Sequence, residues 1–302
     1  MTKQRLFLTG ASGFLGFNLL AHLREHFEIY TLENRTFVQI SENRKIKINL
    51  ENLSKSKDDL RSFLKSHDIR VIVHAAAMAQ PDECEKEPEI AKKINIDATQ
   101  IISDISTELR CHFFFTSTDL IYGRGHGPHD ESDANPDLLY SNLKFDAEKY
   151  IISNNPFCVV FRCALMYGAD DGHSAGMFKR MKSRIENGEN LTLFTDQYRT
   201  PLWAPDVATA IVKAVQLNIN GEIFNLGGSE RINRYDFGMR MARMFNWNTS
   251  QIKAIKMSDL PHLAKRGNDC SMNSQKAHDQ LNWKPTTIDQ SLKNLKILET
   301  QE

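Results

Sequence analysis

The stretch RLFLTGASGFLGFNLLAHL, residues 5–23, joins a short apolar run to a longer segment through a turn that carries three glycines. In the longer segment the leucines recur on one helical face, so the stretch predicts a buried strand followed by an amphipathic helix. Glycine permits a tight turn and a close approach of the backbone, and the amino end of a helix attracts a pyrophosphate. The stretch therefore predicts a dinucleotide site whose contacts are Gly10, Gly13, Phe14, Leu15 and Gly16.

The end of the second apolar run, EIYTL, bears on which dinucleotide binds. Glu33 follows this run and stands twenty residues after Gly13. A carboxylate there can accept hydrogen bonds from a free ribose 2′-OH, which favours NAD. Arg35 could instead pair with a 2′-phosphate, which favours NADP. The sequence leaves NAD and NADP as alternatives.

Short apolar runs alternate with longer amphipathic segments through the first half of the chain, and the runs include VIVHAAA, HFFFTS and FCVVFRCALMYG. Several of them are continuously apolar, which is typical of a parallel sheet covered on both faces. We predict an α/β fold, a doubly wound parallel (Rossmann) sheet with a smaller, mostly helical C-terminal substrate lobe. The predicted dinucleotide-binding domain is residues 1–168 with 200–228, and the predicted lobe is residues 169–199 with 229–302.

The composition excludes several classes of partner. The 302 residues are 41% hydrophobic, and Lys plus Arg equals Asp plus Glu at 38 each, with no long block of one sign. We therefore expect a full core and no nucleic-acid or anionic-membrane surface. The apolar run in MTKQRLFLTG is too short for a signal peptide or a membrane span, and the five cysteines form no CxxC pair, so we expect a cytoplasmic chain with reduced thiols. The histidines of GRGHGPHDESD have the composition of an exposed loop around them, and we predict no metal site.

The segment LYSNLKFDAEKYI, residues 139–151, predicts a helix that places Tyr140 and Lys144 on one face, four residues apart. One interpretation is an ordinary helix surface, since both residue types are common there. The other is that the ammonium lowers the pKa of the phenol, so that the hydroxyl can give or take a proton near neutral pH. The two residues alone leave both interpretations open.

Further motifs resemble those of a known family: HAAA at 74–77, Asn95 in KINIDAT, and TSTDLIYG at 116–123. With the glycine turn and the Tyr140 helix, they make the chain similar to the extended short-chain dehydrogenase/reductase family over nearly its whole length. Among its branches the chain looks most like the dTDP-4-dehydrorhamnose reductases. In the second half the likeness rests on RTPLWAPDVATAI, EIFNLGG and RGNDCSMNSQKA.

The resemblance implies a role for individual residues. Tyr140 would be the general acid, Lys144 its electrostatic partner and a ribose ligand, Thr118 the hydroxyl that orients the substrate oxygen, and Asn95 a support for the lysine through a water or a backbone contact. Further cofactor contacts would come from Asn49, Leu50, Ala75, Ala76 and Ala77. Substrate contacts would come from Thr118, Asp119, Met166, Arg199 and Arg266, of which the two arginines would contact the diphosphate.

The implied activity is NAD(P)H-dependent reduction of a nucleotide-linked 4-keto-6-deoxysugar, and the implied partner is that nucleotide-sugar substrate. Family members that dehydrate sugars carry an Asp-Glu pair after the threonine, whereas here Asp119 is followed by Leu120. Elimination thus lacks its expected base, and reduction or epimerisation remains. One alternative is therefore a nucleotide-sugar epimerase of the same family. Another, of a different class, is a non-catalytic NAD(P)-binding regulatory subunit, since related folds serve in that way. The family often forms homodimers, which makes a homodimer an expectation here as well.

Overall fold

A seven-stranded parallel sheet forms the centre of the protein, which is described here as a computed structural model covering residues 3–34, 40–170, 176–260 and 267–300. Its strands are β1 (Gln4–Thr9), β2 (Phe27–Glu33), β3 (Lys45–Lys47), β4 (Val71–His74), β5 (His112–Thr118), β6 (Cys158–Cys163) and β11 (Glu222–Leu226). The strand order is β3-β2-β1-β4-β5-β6-β11, and every pair is parallel. The predicted doubly wound parallel sheet is confirmed.

Helices cover both faces of this sheet. The helices are α1 (Phe14–His26), α2 (Leu53–Ser66), α3 (Pro81–Lys86), α4 (Pro88–Lys92), α5 (Ala98–Glu108), α6 (Leu139–Asn154), α7 (Met177–Glu186), α8 (Pro205–Gln216), α9 (Arg234–Phe245), α10 (Gln275–Leu281) and α11 (Ile288–Glu299). Side chains alternate between two apolar clusters along β1: Leu6 and Leu8 pack with α1 and α8, while Phe7 packs with α2 and α5. Because both clusters are buried, the strands read as continuous apolar runs.

The C-terminal part adds three pairs of short strands to its helices. β7 (Met166–Tyr167) pairs with β10 (Leu202–Trp203), β8 (Leu191–Phe194) with β13 (Ile252–Ile255), and β9 (Tyr198–Arg199) with β12 (Ile232–Asn233). A third apolar cluster joins α7, α9 and α11 through residues such as Phe178, Met241 and Leu292. Helix α10 instead packs in the first cluster, through Ala277 and Leu281. The division of the chain into two domains stays a prediction.

The strand order changes direction between β1 and β4, which both continue into loops at the same edge of the sheet. In open parallel sheets, ligands bind in the crevice beyond the carboxyl ends of the strands at such a point. The candidate site is therefore expected beyond Thr9 and His74. Within the described ranges, none of the helices combines the length and the apolar character needed to cross a membrane.

Candidate functional site

A cavity of about 490 Å³ lies at this carboxyl edge and gathers most of the predicted site residues. Its walls include Gly10, Gly13, Phe14, Leu15, Gly16, Ala75, Ala77, Thr118, Asp119, Tyr140, Lys144, Met166 and Arg199. The predicted residues outside its lining are Glu33, Asn49, Leu50, Ala76 and Asn95. The predictions for Arg35 and Arg266 concern positions outside the described residues. The cavity thus brings together the proposed reacting groups and the glycine turn, while the predicted contacts to the adenosine lie elsewhere.

The glycine turn comes very close to the neighbouring backbone. Gly10 has φ +72°, and a Cβ on it would lie 2.6 Å from the backbone nitrogen of Ala76. A Cβ on Gly16 would overlap the carbonyl oxygen of Gly10. Helix α1 then begins at Phe14, and its N-cap, Gly13, provides no side-chain cap. The turn therefore leaves room, and the positive end of a helix dipole, for an anionic group.

The loop after β4, residues 75–79, is fixed by buried polar side chains. His74 is fully buried, and its two ring nitrogens lie 2.7 Å from Thr9 Oγ1 and 2.9 Å from Thr99 Oγ1. Asn95, at a π-helical turn, accepts a hydrogen bond from the Met78 backbone nitrogen and donates one to the Met78 carbonyl oxygen, at 3.0 and 3.1 Å. Asn95 thus positions this loop of the cavity wall through a backbone contact with Met78.

Helix α6 presents Tyr140 and Lys144 to the cavity, one turn apart. Tyr140 is 8% exposed, Lys144 is 2% exposed, and the Lys144 ammonium lies 3.9 Å from the centroid of the Phe115 ring. Thr118 ends β5 beside them, where its hydroxyl donates to Asp119 and accepts from the Leu120 backbone nitrogen. The three side chains of the predicted catalytic set therefore line the same cavity.

The electrostatics of this helix face differ from the prediction. Burial raises the pKa of the Tyr140 phenol well above its usual range, the Asp119 carboxylate adds to that increase, and the Thr118 hydroxyl opposes it. Burial also lowers the pKa of Lys144 to about 7, against the effect of the Glu148 carboxylate. Of the two interpretations that the sequence left open, a phenol pKa lowered by the ammonium is contradicted for the protein's own groups, because desolvation outweighs the neighbouring charges.

Asp119 and Arg199 form a buried ion pair, although both were predicted to contact substrate. Arg199 Nε lies 3.6 Å from Asp119 Oδ2, and the other two guanidinium nitrogens donate to the carbonyl oxygens of Tyr198 and Gly267, at 2.6 and 3.1 Å. Asp119 also accepts from the backbone nitrogen of Leu165 at 3.2 Å. Burial raises the pKa of Asp119, and Arg199 opposes that increase. The pair holds together segments that are far apart in the sequence.

The predicted adenosine contacts have local partners. Glu33 ends β2 as expected, and its carboxylate lies 3.2 Å from the ammonium of Lys45. Lys45 is on β3, a strand that the sequence did not predict. The Asn49 side chain accepts from the Glu51 backbone nitrogen at 3.0 Å, and Leu50 is buried. A cation beside the predicted ribose position is consistent with either alternative for the cofactor.

A larger hollow, of about 1090 Å³, lies at the opposite, amino edge of the sheet. It is open, and its walls come from the first residues of β1 and β2 together with charged side chains such as Arg5, Glu28 and Arg44. Glu28 pairs with both arginines, at 3.2 and 2.7 Å. The hollow contains none of the predicted site residues, so size alone does not identify the functional site.

Several cavity residues were missed by the sequence analysis. They include Gln80, Ser117, Cys163, Arg180, Gln197 and Arg234. Ser117 and Cys163 lie at the carboxyl ends of strands that the sequence predicted. That position could have indicated that they line the ligand crevice. Arg180 lies in the first turn of α7, and Arg234 is the first residue of α9. No sequence motif predicted a functional role for either residue.

Comparison with known proteins gives a matching family and several relatives that align with most of the chain. A family model described as RmlD substrate binding domain matches residues 4–299. A dTDP-4-dehydrorhamnose reductase of Aggregatibacter actinomycetemcomitans is 25% identical over 97% of this chain and 98% of its own length. A probable low-salt glycan biosynthesis reductase of Haloferax volcanii is 25% identical over 95% of both chains. The subunit beta of methionine adenosyltransferase 2 of Bos taurus is 26% identical over 89% of this chain and 81% of its own.

Solved structures share the fold along the whole chain. A hypothetical dTDP-4-dehydrorhamnose reductase of Sulfolobus tokodaii has a TM-score of 0.80 at 26% identity and covers 95% of this chain and 98% of its own. A dTDP-4-dehydrorhamnose reductase of Bacillus anthracis, solved in complex with NADP, has a TM-score of 0.82 at 19% identity and covers 98% and 99%. A UDP-glucose 4-epimerase of Thermotoga maritima, solved with UDP-glucose, has a TM-score of 0.82 at 19% identity and covers 99% and 100%. The last two structures are only 19% identical to this chain, so the similarity to them concerns the fold alone.

Proposed function

The chain belongs to the RmlD substrate binding domain family, and on that premise we propose that it is an NAD(P)H-dependent oxidoreductase that reduces a nucleotide-linked 4-keto-6-deoxysugar. Membership confirms the family resemblance drawn from the sequence. The observation that carries the proposal is the meeting of Tyr140, Lys144 and Thr118 in the same cavity as the glycine turn. A binding module could use the glycine turn and the Lys144 ammonium to hold a cofactor, but it would not need the Tyr140 phenol and the Thr118 hydroxyl gathered beside them.

The residues of the glycine turn fit a dinucleotide. A Cβ on Gly10 or Gly16 would meet backbone atoms, which is the arrangement expected where a backbone must pass close to a pyrophosphate. The turn and the amino end of α1 would hold the pyrophosphate, residues 75–79 would line the nicotinamide half, and Glu33 would approach the ribose. Because the Lys45 ammonium lies beside the Glu33 carboxylate, NADP and NAD both remain alternatives for the cofactor. The bound cofactor would supply the hydride.

Tyr140 is proposed as the proton donor to the substrate oxygen. Its raised pKa keeps the phenol protonated at neutral pH, so the proton is present when charge develops on that oxygen. Thr118 would donate a second hydrogen bond to the same oxygen, which strengthens as negative charge grows there. Lys144, when protonated, would stabilise the phenolate left after the transfer. General acid catalysis of this kind contributes typically about 10²- to 10⁴-fold.

The choice between reduction and epimerisation is tested with the cofactor in stoichiometric amounts. The protein is mixed with NADPH, and separately with NADH, and with a dTDP-4-keto-6-deoxysugar, while the nicotinamide absorbance and the sugar product are both measured. Reduction predicts that absorbance is lost in proportion to the product formed. A product formed without net loss of absorbance would make the chain an epimerase and overturn the proposal.

A second candidate is a non-catalytic subunit, because relatives named as subunit beta of methionine adenosyltransferase 2 match up to 89% of the chain. For that function the cofactor cavity would be retained, but turnover would not be needed. The same mixing experiment separates the two. Binding of NADPH with no sugar product under any tested condition would favour the subunit, whereas turnover favours the reductase.

A further inference from the structure

Helix α6 carries a buried carboxylate one turn beyond Lys144. Glu148 follows Lys144 by four residues, a spacing that places both side chains on the same face of the helix. Glu148 is 1% exposed, and Lys144 is 2% exposed. A carboxylate at this spacing favours the protonated form of the amine, because charges interact strongly where water is excluded.

The Glu148 carboxylate is held by the guanidinium of Arg162, a buried residue near the carboxyl end of β6. Arg162 Nε donates to both carboxylate oxygens, at 3.3 and 3.1 Å, and Nη2 donates to one of them at 2.7 Å. The third nitrogen, Nη1, donates to the Tyr122 hydroxyl and to the Glu131 carbonyl oxygen, at 3.1 and 2.6 Å. Contacts of this kind fix the orientation of a carboxylate as well as its position.

This ion pair is not symmetric with respect to Lys144. Glu148 stands on the same helix as the lysine, whereas Arg162 extends from a strand and also serves acceptors in the segment between β5 and α6. The negative member of the pair therefore acts on the ammonium from its own helix, and the positive member is shared among several acceptors.

Most other titratable groups around Lys144 and Tyr140 are neutral near pH 7. These side chains are His74 on β4, Cys84 on α3, Cys163 on β6 and Asp119 after β5. Burial lowers the pKa of the His74 ring to about 3 and raises the pKa values of the Cys84 and Cys163 thiols to about 11 and about 12. Asp119 has its own cation in Arg199. Among the described residues, Glu148 is therefore the negative charge that acts on Lys144.

We propose that Glu148, fixed in place by Arg162, is a positioning residue that keeps the Lys144 ammonium protonated beside Tyr140. The use of that charge in turnover rests on the proposed function, in which the ammonium stabilises the phenolate left after proton transfer. The electrostatic coupling itself exists without substrate or cofactor. It can therefore be measured separately from activity, and distinguished from an ion pair that only fastens α6 to β6.

The test is a double-mutant cycle on the full, cofactor-free chain. The melting temperatures of the wild type, Glu148→Gln, Lys144→Met and the double variant are measured at pH 6 and at pH 10. At pH 6, below the pKa of about 7 of Lys144, Glu148→Gln should lower the melting temperature by at least about 2 °C more in the wild-type background than in the Lys144→Met background. At pH 10 the lysine is neutral, so the two backgrounds should agree within about 1 °C. The loss of a partner by Arg162 is common to both backgrounds and cancels.

Asp146→Asn is the matched control, because Asp146 lies on α6 as well but pairs with the exposed Lys149. Its effect should add to that of Lys144→Met at both pH values. If Glu148→Gln alone prevents folding, because it leaves a buried guanidinium without its carboxylate, the cycle is repeated with Glu148→Gln combined with Arg162→Met. The coupling to Lys144→Met should again be larger at pH 6 than at pH 10.

A second measurement relates the coupling to turnover. The kcat/KM for sugar reduction is expected to fall as Lys144 loses its proton, and Glu148→Gln should move the midpoint of that fall to lower pH by about 0.5 unit or more. A coupling that is absent, or equal at pH 6 and pH 10, would overturn the inference, and so would a kcat/KM lowered by the same factor at every pH. A protein that reduces no sugar but shows the pH-dependent coupling would refute the proposed function and leave the electrostatic role of Glu148 standing.

Discussion

The two walls of the cavity are built in different ways. The N-terminal wall comes from the segments 10–16, 75–81, 116–120, 140–144 and 163–165, which lie at the ends of strands of the central sheet and at the starts of the loops and helices beside them. The C-terminal wall, formed by Met166 and residues 176–180, 197–199 and 234, comes from short strands and separate helices. The first is fixed by the sheet, whereas the second depends on contacts such as the Asp119–Arg199 pair, which joins it to the first. The proposed reacting groups Tyr140, Lys144 and Thr118 therefore lie on the wall that the central sheet fixes.

The largest effect is expected at the N-terminal wall, from Tyr140→Phe. Removing the phenol hydroxyl removes the proposed proton donor but little volume, so kcat for sugar reduction should fall by about 10²- to 10⁴-fold. Affinity for the cofactor, measured by titration, should stay within about 3-fold, because the glycine turn is untouched. Tyr150→Phe is the control, since Tyr150 lies on the same helix and donates to Asp104 outside the cavity. Equal kcat in the two variants would remove Tyr140 from the mechanism.

The junction between the walls is tested by Arg199→Ala. This change leaves the Asp119 carboxylate buried without its cation, and breaking such a pair costs about 3–5 kcal/mol. Chemical denaturation should show this loss of unfolding free energy, and Arg199→Ala combined with Asp119→Asn should recover much of it. A variant that kept wild-type stability and lost only affinity for substrate would restore Arg199 as a direct diphosphate ligand, as the sequence predicted.

The close approach of backbones in the N-terminal wall is tested by Gly16→Ala. The new Cβ would overlap the carbonyl oxygen of Gly10 and come within 2.6 Å of the Ala11 Cα, so overpacking should cost about 1–3 kcal/mol. Affinity for NADP⁺ should fall by more than about 10-fold because the turn must open. Gly13→Ala is the milder comparison, as its Cβ would lie 3.3 Å from the Gly10 carbonyl oxygen. Similar thermal stability and affinity in both variants would contradict the described turn.

The last effect concerns the buried ammonium of Lys144 and is measured as a difference between two pH values. With a pKa of about 7 in the folded protein and about 10.4 in the unfolded chain, the unfolded state holds more protons between these values, so the free energy of unfolding rises with pH across that window. Below pH 7 the cost of burying the charge is fully present. Lys144→Met should therefore raise the melting temperature of the cofactor-free protein by a few degrees more at pH 6 than at pH 10.

Lys149→Met provides the control for this difference, because Lys149 is exposed and pairs with Asp146 at 2.6 Å on the same helix. Its effect on the melting temperature should be nearly the same at both pH values. A gain for Lys144→Met that is equal at pH 6 and pH 10 would mean that the ammonium keeps an ordinary pKa in the fold.

The N-terminal wall could be predicted from the sequence because its signals are local. The glycine turn follows its strand directly, and Tyr140 and Lys144 are four residues apart, so helical geometry alone places them together. The parallel sheet followed from continuous apolar runs. Even here the direction in which the pKa of the phenol shifts could not be predicted, since the degree of burial depends on side chains from several strands and cannot be read from a spacing.

The C-terminal wall could not be predicted in the same way, because its residues meet only after the chain has folded. Arg180 and Arg234 stand in helices whose sequences carry no motif, and the pairing of Asp119 with Arg199 links positions far apart in the chain. The contact of Asn95 with Met78 likewise depends on a π-helical turn, which no pattern of residues predicted. Long-range polar contacts of this kind are decided by tertiary packing rather than by local propensity.

Reduction of a keto sugar by a nicotinamide cofactor bound in this cavity can be followed by isotope transfer. NADPH and NADH that carry deuterium at both hydrogen positions of nicotinamide C4 are each mixed in equal amount with the protein and a dTDP-4-keto-6-deoxysugar, and the sugar product is examined by mass spectrometry and NMR. The proposed function predicts one deuterium on the former keto carbon for each oxidised nicotinamide. A sugar product without deuterium, while the nicotinamide stays reduced, would contradict it.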